Sequence, residues 1–221
     1  MALTKYNYNS FDVTPVASKA LAFNSGANGL TTASEGSMVL IKTLTASSSA
    51  TLSFVDGTSD VVLDNTYPIY LFKFIDIHPA TDEAILTFNM SVDTGSNYNV
   101  TKTTTFFRAN HSESDTTTDL AYRTSDDLAQ GTGFQYISAQ TGNGNDECTS
   151  GYLHLFNPSS TTFVKHFMAQ SNAYQIGNDT SNHSLIAGYG NTTSAVDAIQ
   201  FKFHSGNIDA GTIKLYGLKD S

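Results

Sequence analysis

The sequence predicts an all-β protein: an antiparallel β-sandwich of the jelly-roll plan, preceded by an extended N-terminal arm. Three observations predict it. Charged residues make up only 14% of the 221 residues, against roughly 25% in an average domain, and uncharged Ser, Thr and Asn fill the difference. Apolar residues recur at alternate positions over short runs, the period of a half-buried strand, and clusters of Gly, Asn, Asp, Ser or Thr bound each run. No segment holds a helical period for long, apart from a weak turn at "SDDLAQ" (125–130). Composition agrees, since the 14 Phe and 11 Tyr suit a pleated surface while Ser and Asn compete for helix backbone.

Residues 1–37 are read as the arm and its connection. "NSGANGLTTASEG" (24–36) is a turn-rich stretch, and the segment before it has no sustained period. Tyr6, Tyr8, Phe11 and Phe23 have no periodic face of their own, which makes them the expected interface residues, lying on their own domain or on a neighbouring subunit. Residues 38–221 are read as the sandwich. "PIYLFKFIDI" (68–77) is apolar in both phases, as a central strand covered on both sides would be. "AILTFNMSV" (84–92) sends Leu86, Phe88 and Met90 to one face. Further strands are expected at "SATLSF" (49–54), "TTTFFRA" (103–109), "GFQYIS" (133–138), "GYLHLFN" (151–157), "TTFVKHFMAQ" (161–170) and "HSLIAGYG" (183–190). "AIQFKFH" (198–204) alternates with Ile199, Phe201 and Phe203 inward, and with "GTIKLYG" (211–217) it reads as a terminal hairpin. About ten short strands at this spacing point to two packed antiparallel sheets, of which the jelly roll is a common plan.

The net charge of −9 and pI near 4.8 argue against a nucleic-acid partner, which would require clustered Lys and Arg. The single Cys148 leaves no intrachain disulfide to form. "MALTKYNYNS" lacks the apolar stretch of a cleaved signal, and no run reaches the ~18 apolar residues of a membrane span. The expectation is therefore a soluble chain made in a cytoplasm, in which the sequons at Asn89, Asn99, Asn110, Asn178, Asn182 and Asn191 arise by chance.

Three stretches hold residues that chemistry can use. "SVDTGSNYNV" (91–100) presents Asp93 as a pepsin-like protease presents a catalytic aspartate. Such an enzyme needs two carboxylates sharing a proton, and no second Asp-Thr/Ser-Gly occurs; "VDGTSD" (55–60) scrambles the order. The flanks fit a hairpin turn instead, with Gly95 supplying a positive φ. In "HSESD" (111–115), His111, Glu113 and Asp115 have the spacing of a small metal site if extended, but no fourth ligand or second shell can be named, and a solvated loop between strand and turn is the reading preferred. "NGNDE" (143–147) is a polar turn with two carboxylates and lacks a calcium-loop register. His78, His154 and His166 lie in or beside apolar strands as structural residues. No nucleophile elbow or phosphate loop is present, so neither catalytic residues nor a cofactor is expected.

The phrases "NSFDVTPVASKALAFNSGANGLTTASEGSMVLI", "FKFIDIHPATD", "TTTFFRANHSESD", "LAYRTSDDLAQ", "GYLHLFNPSSTTFVKHF" and "AIQFKFHSGNIDAGTIKLYGLK" resemble a group of virion structural proteins of marine tailed bacteriophages, over nearly the whole chain. The resemblance implies a place in a virus particle made in a host bacterial cytoplasm, no reaction, and partners among the other capsid or tail proteins. A capsid decoration or cement protein, a homo-oligomer such as a trimer docking through its arm and sheet edges, is the first expectation. A tail-fibre or receptor-binding module meeting a host glycan through the loops at 110–119 and 140–149 is the alternative. The absence of a fibre stalk, heptads or a collagen-like repeat favours decoration.

Overall fold

The computed structural model describes residues 21–23, 26, 30–32, 36–175 and 179–219. The chain divides into two compact units, Met1–Gly36 and Ser37–Ser221. In the first, β1 (Leu21–Phe23) pairs antiparallel with β2 (Leu30–Thr32), Phe23 opposite Leu30. Tyr6, Tyr8 and Phe11 lie outside the described residues, as does the side chain of Phe23.

The second unit is an antiparallel β-sandwich, and no helix occurs among the described residues. Its strands are β3 (Met38–Thr45), β4 (Leu52–Val55), β5 (Ile69–Pro79), β6 (Ala84–Ser91), β7 (Lys102–Ser112), β8 (Thr118–Tyr122), β9 (Gln135–Thr141), β10 (Thr149–Phe156), β11 (Lys165–Gln175), β12 (Thr180–Gly190), β13 (Ala198–Phe203) and β14 (Ile208–Leu218). One sheet has eight strands in the order β3-β14-β5-β10-β11-β12-β7-β8, and the other has four, β4-β13-β6-β9. The pairing is nested: β3 lies beside β14, β4 beside β13, β5 beside β10 and β6 beside β9. This is a long antiparallel ribbon wound on itself so that alternate segments fall in opposite sheets. The hairpins β7–β8 and β11–β12 lengthen the larger sheet beyond β10.

Alternation along each strand decides which side chains fill the gap between sheets. From the larger sheet come Tyr70, Phe72, Phe74, Phe106, Leu153, Leu155, Phe167, Ile213 and Leu215; from the smaller come Phe54, Leu86, Phe88, Met90, Ile199 and Phe201; all are buried. Phe201 is the hub. Its ring centroid lies 5.2 Å from Phe74, 5.4 Å from Phe72 and 6.3 Å from both Phe54 and Phe88, with Phe54 and Phe74 edge-on. Phe88 meets Phe167 at 4.9 Å. Edge-to-face contacts of this kind each add about 0.5–1.5 kcal/mol beyond the apolar area they bury.

Two expected hairpins are corners instead. β6 and β7, and likewise β13 and β14, stand in different sheets, so "DTGS" and the "SGN" (205–207) that opens "SGNIDAG" carry the chain across the sandwich, the rest of the latter belonging to β14. Strand alternation is the same whether the next strand pairs alongside or crosses over, which is why the sequence pattern did not separate the two. After the second corner β14 is irregular against β5, with register shifts between Ile208, Ala210 and Thr212. Gly211, at φ 109°, sits in that bulge, where a Cβ would lie 2.4 Å from the Asp76 carbonyl oxygen. Only glycine fits both the conformation and the space.

The inward and outward assignment makes a direct test. Phe201→Ala should destabilise the protein by about 3–5 kcal/mol, the cost of a large core ring. Met168→Ala, on the outer face of the larger sheet, should stay within about 0.5 kcal/mol of the parent. Urea unfolding followed by far-UV circular dichroism reads both.

Candidate functional site

Asp93 begins the corner after β6, and its carboxylate is engaged entirely in shaping that corner. Oδ1 accepts from the Ser91 hydroxyl at 2.7 Å and from the Asn97 backbone N–H at 2.8 Å, and Oδ2 accepts from Asn97 Nδ2 at 2.7 Å. Donors converging on the charged form hold its pKa down at about 2, led by the bonds from Ser91 and Asn97. A proton-sharing aspartate dyad would push one carboxyl the other way. A second carboxylate, Asp197, is close, but both its oxygens accept from the Thr94 backbone N–H at 3.0 Å. That clamp holds Thr94 at φ 60°, an uncommon conformation for a β-branched residue. Asp93 is therefore a turn-former, as its flanks predict.

The metal candidates occupy the β7–β8 turn. His111 Nε2 lies 2.9 Å from Asp115 Oδ1 and both side chains are solvent-exposed; Glu113 is joined to the neighbouring β11–β12 connection by its backbone N–H, which donates to the Asp179 carbonyl at 2.9 Å. Among the described residues no three His, Cys, Asp or Glu side chains come together as a metal-holding group. In "NGNDE", Glu147 folds back on its own turn and accepts from the Gly144 N–H at 2.6 Å, while the Gly144 carbonyl meets His78 Nε2 at 3.0 Å. Of the sequon asparagines, Asn89 and Asn182 are fully buried, which leaves no room for a glycan on either.

The feature that the strand patterns left unassigned is the outer face of the eight-stranded sheet. Register places Tyr152, Gln170, Leu185, Phe107 and Tyr122 in one cross-strand row over β10, β11, β12, β7 and β8. The adjacent row carries Leu71, His154, Met168, Ala187 and Thr105. No Asp or Glu stands in either row, although the chain has 20. Met168 is 57% exposed, and Phe107, Tyr122 and Leu185 are each above 40%. At the β8 edge Leu120 is 74% exposed. Two shallow grooves run over this surface, one of about 600 Å³ between Phe156, His166, Met168 and Tyr189, and one of about 300 Å³ between Tyr152, His154, Gln170 and Leu185. Phe107 and Tyr122 meet edge-to-face at 5.2 Å, and the Tyr122 hydroxyl donates to Asp127.

One polar chain crosses this apolar surface. The Tyr152 hydroxyl donates to Gln170 Oε1, and Gln170 Nε2 lies 2.6 Å from His183 Nε2. Since the Gln170 oxygen already accepts, its amide donates, which fixes His183 Nε2 as an acceptor. The signal in the sequence is that "GYLHLFN" carries Tyr152 and Phe156 in its outward phase and "KHFMAQ" carries Met168 in its own. Which outward residues align across five strands depends on a strand order that the pattern does not contain.

Neither a protein-family model, nor a curated protein, nor a solved structure matches the chain.

The turn-forming role of Asp93 has a measurable consequence. Its folded pKa is depressed, so its contribution to stability is present above the ordinary value of 3.8 and is lost as the pH falls toward about 2. Carbon-detected NMR titration should place the Asp93 midpoint near 2, and Asn97→Ala should raise it. A midpoint in the ordinary carboxylate range in the parent protein would contradict the turn geometry.

Proposed function

We propose that this chain is a non-enzymatic structural subunit of a bacteriophage virion, a capsid decoration protein that docks through the outer face of its larger sheet. The observation that carries the reading is that exposed face: two rows in which Phe, Tyr, Met and Leu stand with Gln170, His154, Thr105 and Ala187 and without a carboxylate, on a chain of net charge −9. A contiguous exposed apolar surface supports an interaction site, and the depletion of charge with retention of aromatic residues and Met is the composition of an interface centre. The nested strand pairing supports reading the eight strands β3–β6, β9, β10, β13 and β14 as a jelly roll, a plan used by viral capsid domains. The sequence resemblance supports the particle. The acidic exterior elsewhere disfavours contact with packaged nucleic acid. The docking surface proposed here is the sheet face and its β8 edge, in place of the arm-led contact that the sequence pattern favours, with neighbouring capsid subunits and further copies of the chain as the partners.

A second reading has its own observation. Tyr152, Gln170 and His183 set hydrogen-bonding groups among exposed rings, the combination that holds a neutral sugar by stacking and directed polar contacts. It supports a receptor-binding module that meets a host glycan through this sheet face.

Quantitative mass spectrometry of purified virions, with antibody labelling seen by electron microscopy, separates the two. Many copies distributed over the head are expected; a few copies at the tail would overturn decoration in favour of glycan recognition. The double change Met168→Asp with Leu185→Asp should abolish docking on particles lacking the protein while leaving the unfolding midpoint nearly unchanged, because both side chains are exposed.

A further inference from the structure

Two lysines are buried on the inner face of the larger sheet, and only one of them faces a group that it can react with. Lys102 on β7 and Lys165 on β11 both stand opposite Gly190 of β12, one on each side. Both are fully buried. Lys165 Nζ donates to the Phe163 carbonyl at 2.7 Å and to the Thr192 carbonyl at 3.2 Å. Lys102 Nζ donates to the Val100 carbonyl at 2.8 Å and, at 2.5 Å, to Oδ1 of the Asn89 side chain, which is also fully buried. Neither lysine has a carboxylate among these partners.

An ammonium ion in such a place is costly, and the neutral amine is favoured over it. Burial pushes the Lys102 amine down to about 7, so a large fraction is unprotonated near neutral pH. A neutral lysine amine is a nucleophile. The carboxamide beside it is held on three sides. The Met90 backbone N–H donates to Asn89 Oδ1 at 2.9 Å, where it would stabilise negative charge developing on that oxygen. Asn89 Nδ2 is surrounded by the carbonyls of Tyr98 at 2.6 Å, Thr132 at 2.9 Å and Gly133 at 3.3 Å. Those acceptors suit a departing ammonia as well as they suit an amide.

We propose that Lys102 and Asn89 condense into an intramolecular amide bond that ties the two sheets together. Nζ attacks the Asn89 side-chain carbonyl carbon, and the C=O electron pair moves to Oδ1 against the Met90 N–H. The adduct collapses as a proton passes from Nζ to Nδ2, the carbon–Nδ2 bond breaks, and ammonia leaves. One C–N bond forms and one breaks, with no oxidant or reductant required. Fixed proximity in a water-excluded site is what makes such an exchange feasible at all. Lys165 is the internal control, because backbone carbonyls offer it no leaving group. The bond would join β6 of the four-stranded sheet to β7 of the eight-stranded one, across the "DTGS" corner. The inference does not depend on the docking surface.

Intact-protein mass spectrometry of the full chain, purified and held at pH 8, tests it. The expected mass is that of the sequence less one ammonia, and tandem spectrometry of a digest should contain a branched peptide linking Asn89 to Lys102. Lys102→Met and Asn89→Ala should each retain the full mass expected of their sequence. Should either variant fail to fold, amine acylation of the denatured parent protein gives an independent reading, with Lys165 labelled and Lys102 refractory. An unshifted mass, a labelled Lys102, or an ammonia loss that maps to a succinimide at Asn143-Gly144 without the branched peptide overturns the proposal.

Discussion

The packing of Phe201 against Phe54, Phe72, Phe74 and Phe88 is the interaction on which the rest of the structure depends. Those five rings come from both sheets and set the distance between them. With that distance fixed, the pleat of each strand divides its residues into inner and outer sets, and one misplaced register would reverse the division. The wound ribbon closes on this cluster: β4 and β13 carry Phe54 and Phe201, β6 carries Phe88, and β5 carries Phe72 and Phe74.

The sheets are unequal, and that inequality has consequences on both sides of the larger one. The four-stranded sheet ends at β9, which packs over β11 and β12. Beyond it the inner positions of β7 change from Phe106 to Arg108 and Asn110, and the loop after β8 lies there, with the Arg123 N–H bonded to the Phe106 carbonyl at 2.8 Å. On the outer side no second layer exists among the described residues of this unit. Side chains that would be core in a three-layer protein, Met168, Phe107, Leu185 and Tyr122 among them, stand in solvent on that face.

Charged side chains are otherwise engaged in the turns. The exposed Asp93 and the half-buried Asp197 and Glu147 accept from backbone N–H groups there, which stabilises those turns. Lys102 and Lys165 are the exceptions, since the neighbouring oxygens satisfy their hydrogens but not their charge. Of the two, Lys102 alone has a carboxamide in reach, and it stands where a covalent tie would brace the sheet-to-sheet corner. Such a tie would act on how slowly that corner opens.

By itself the sequence determined the all-β class, the inward residues of the strands at 84–92, 198–204 and 211–217, and the turn identity of "DTGS"; it placed "PIYLFKFIDI" inside a sheet, as found, but covered on both sides, whereas the outer face of β5 has no layer over it among the described residues of its unit and leaves Ile75 exposed. Each is a local property: alternation, composition, or a residue type tied to a backbone conformation. Tertiary structure alone decided that two apparent hairpins are corners between sheets, because pairing is a choice between distant strands that leaves no local mark. It also decided that Tyr152, Gln170, Leu185, Phe107 and Tyr122 form one row, and that Asn89 faces Lys102. Those residues are brought together by strand order, and strand order is fixed by the ring packing of the whole core.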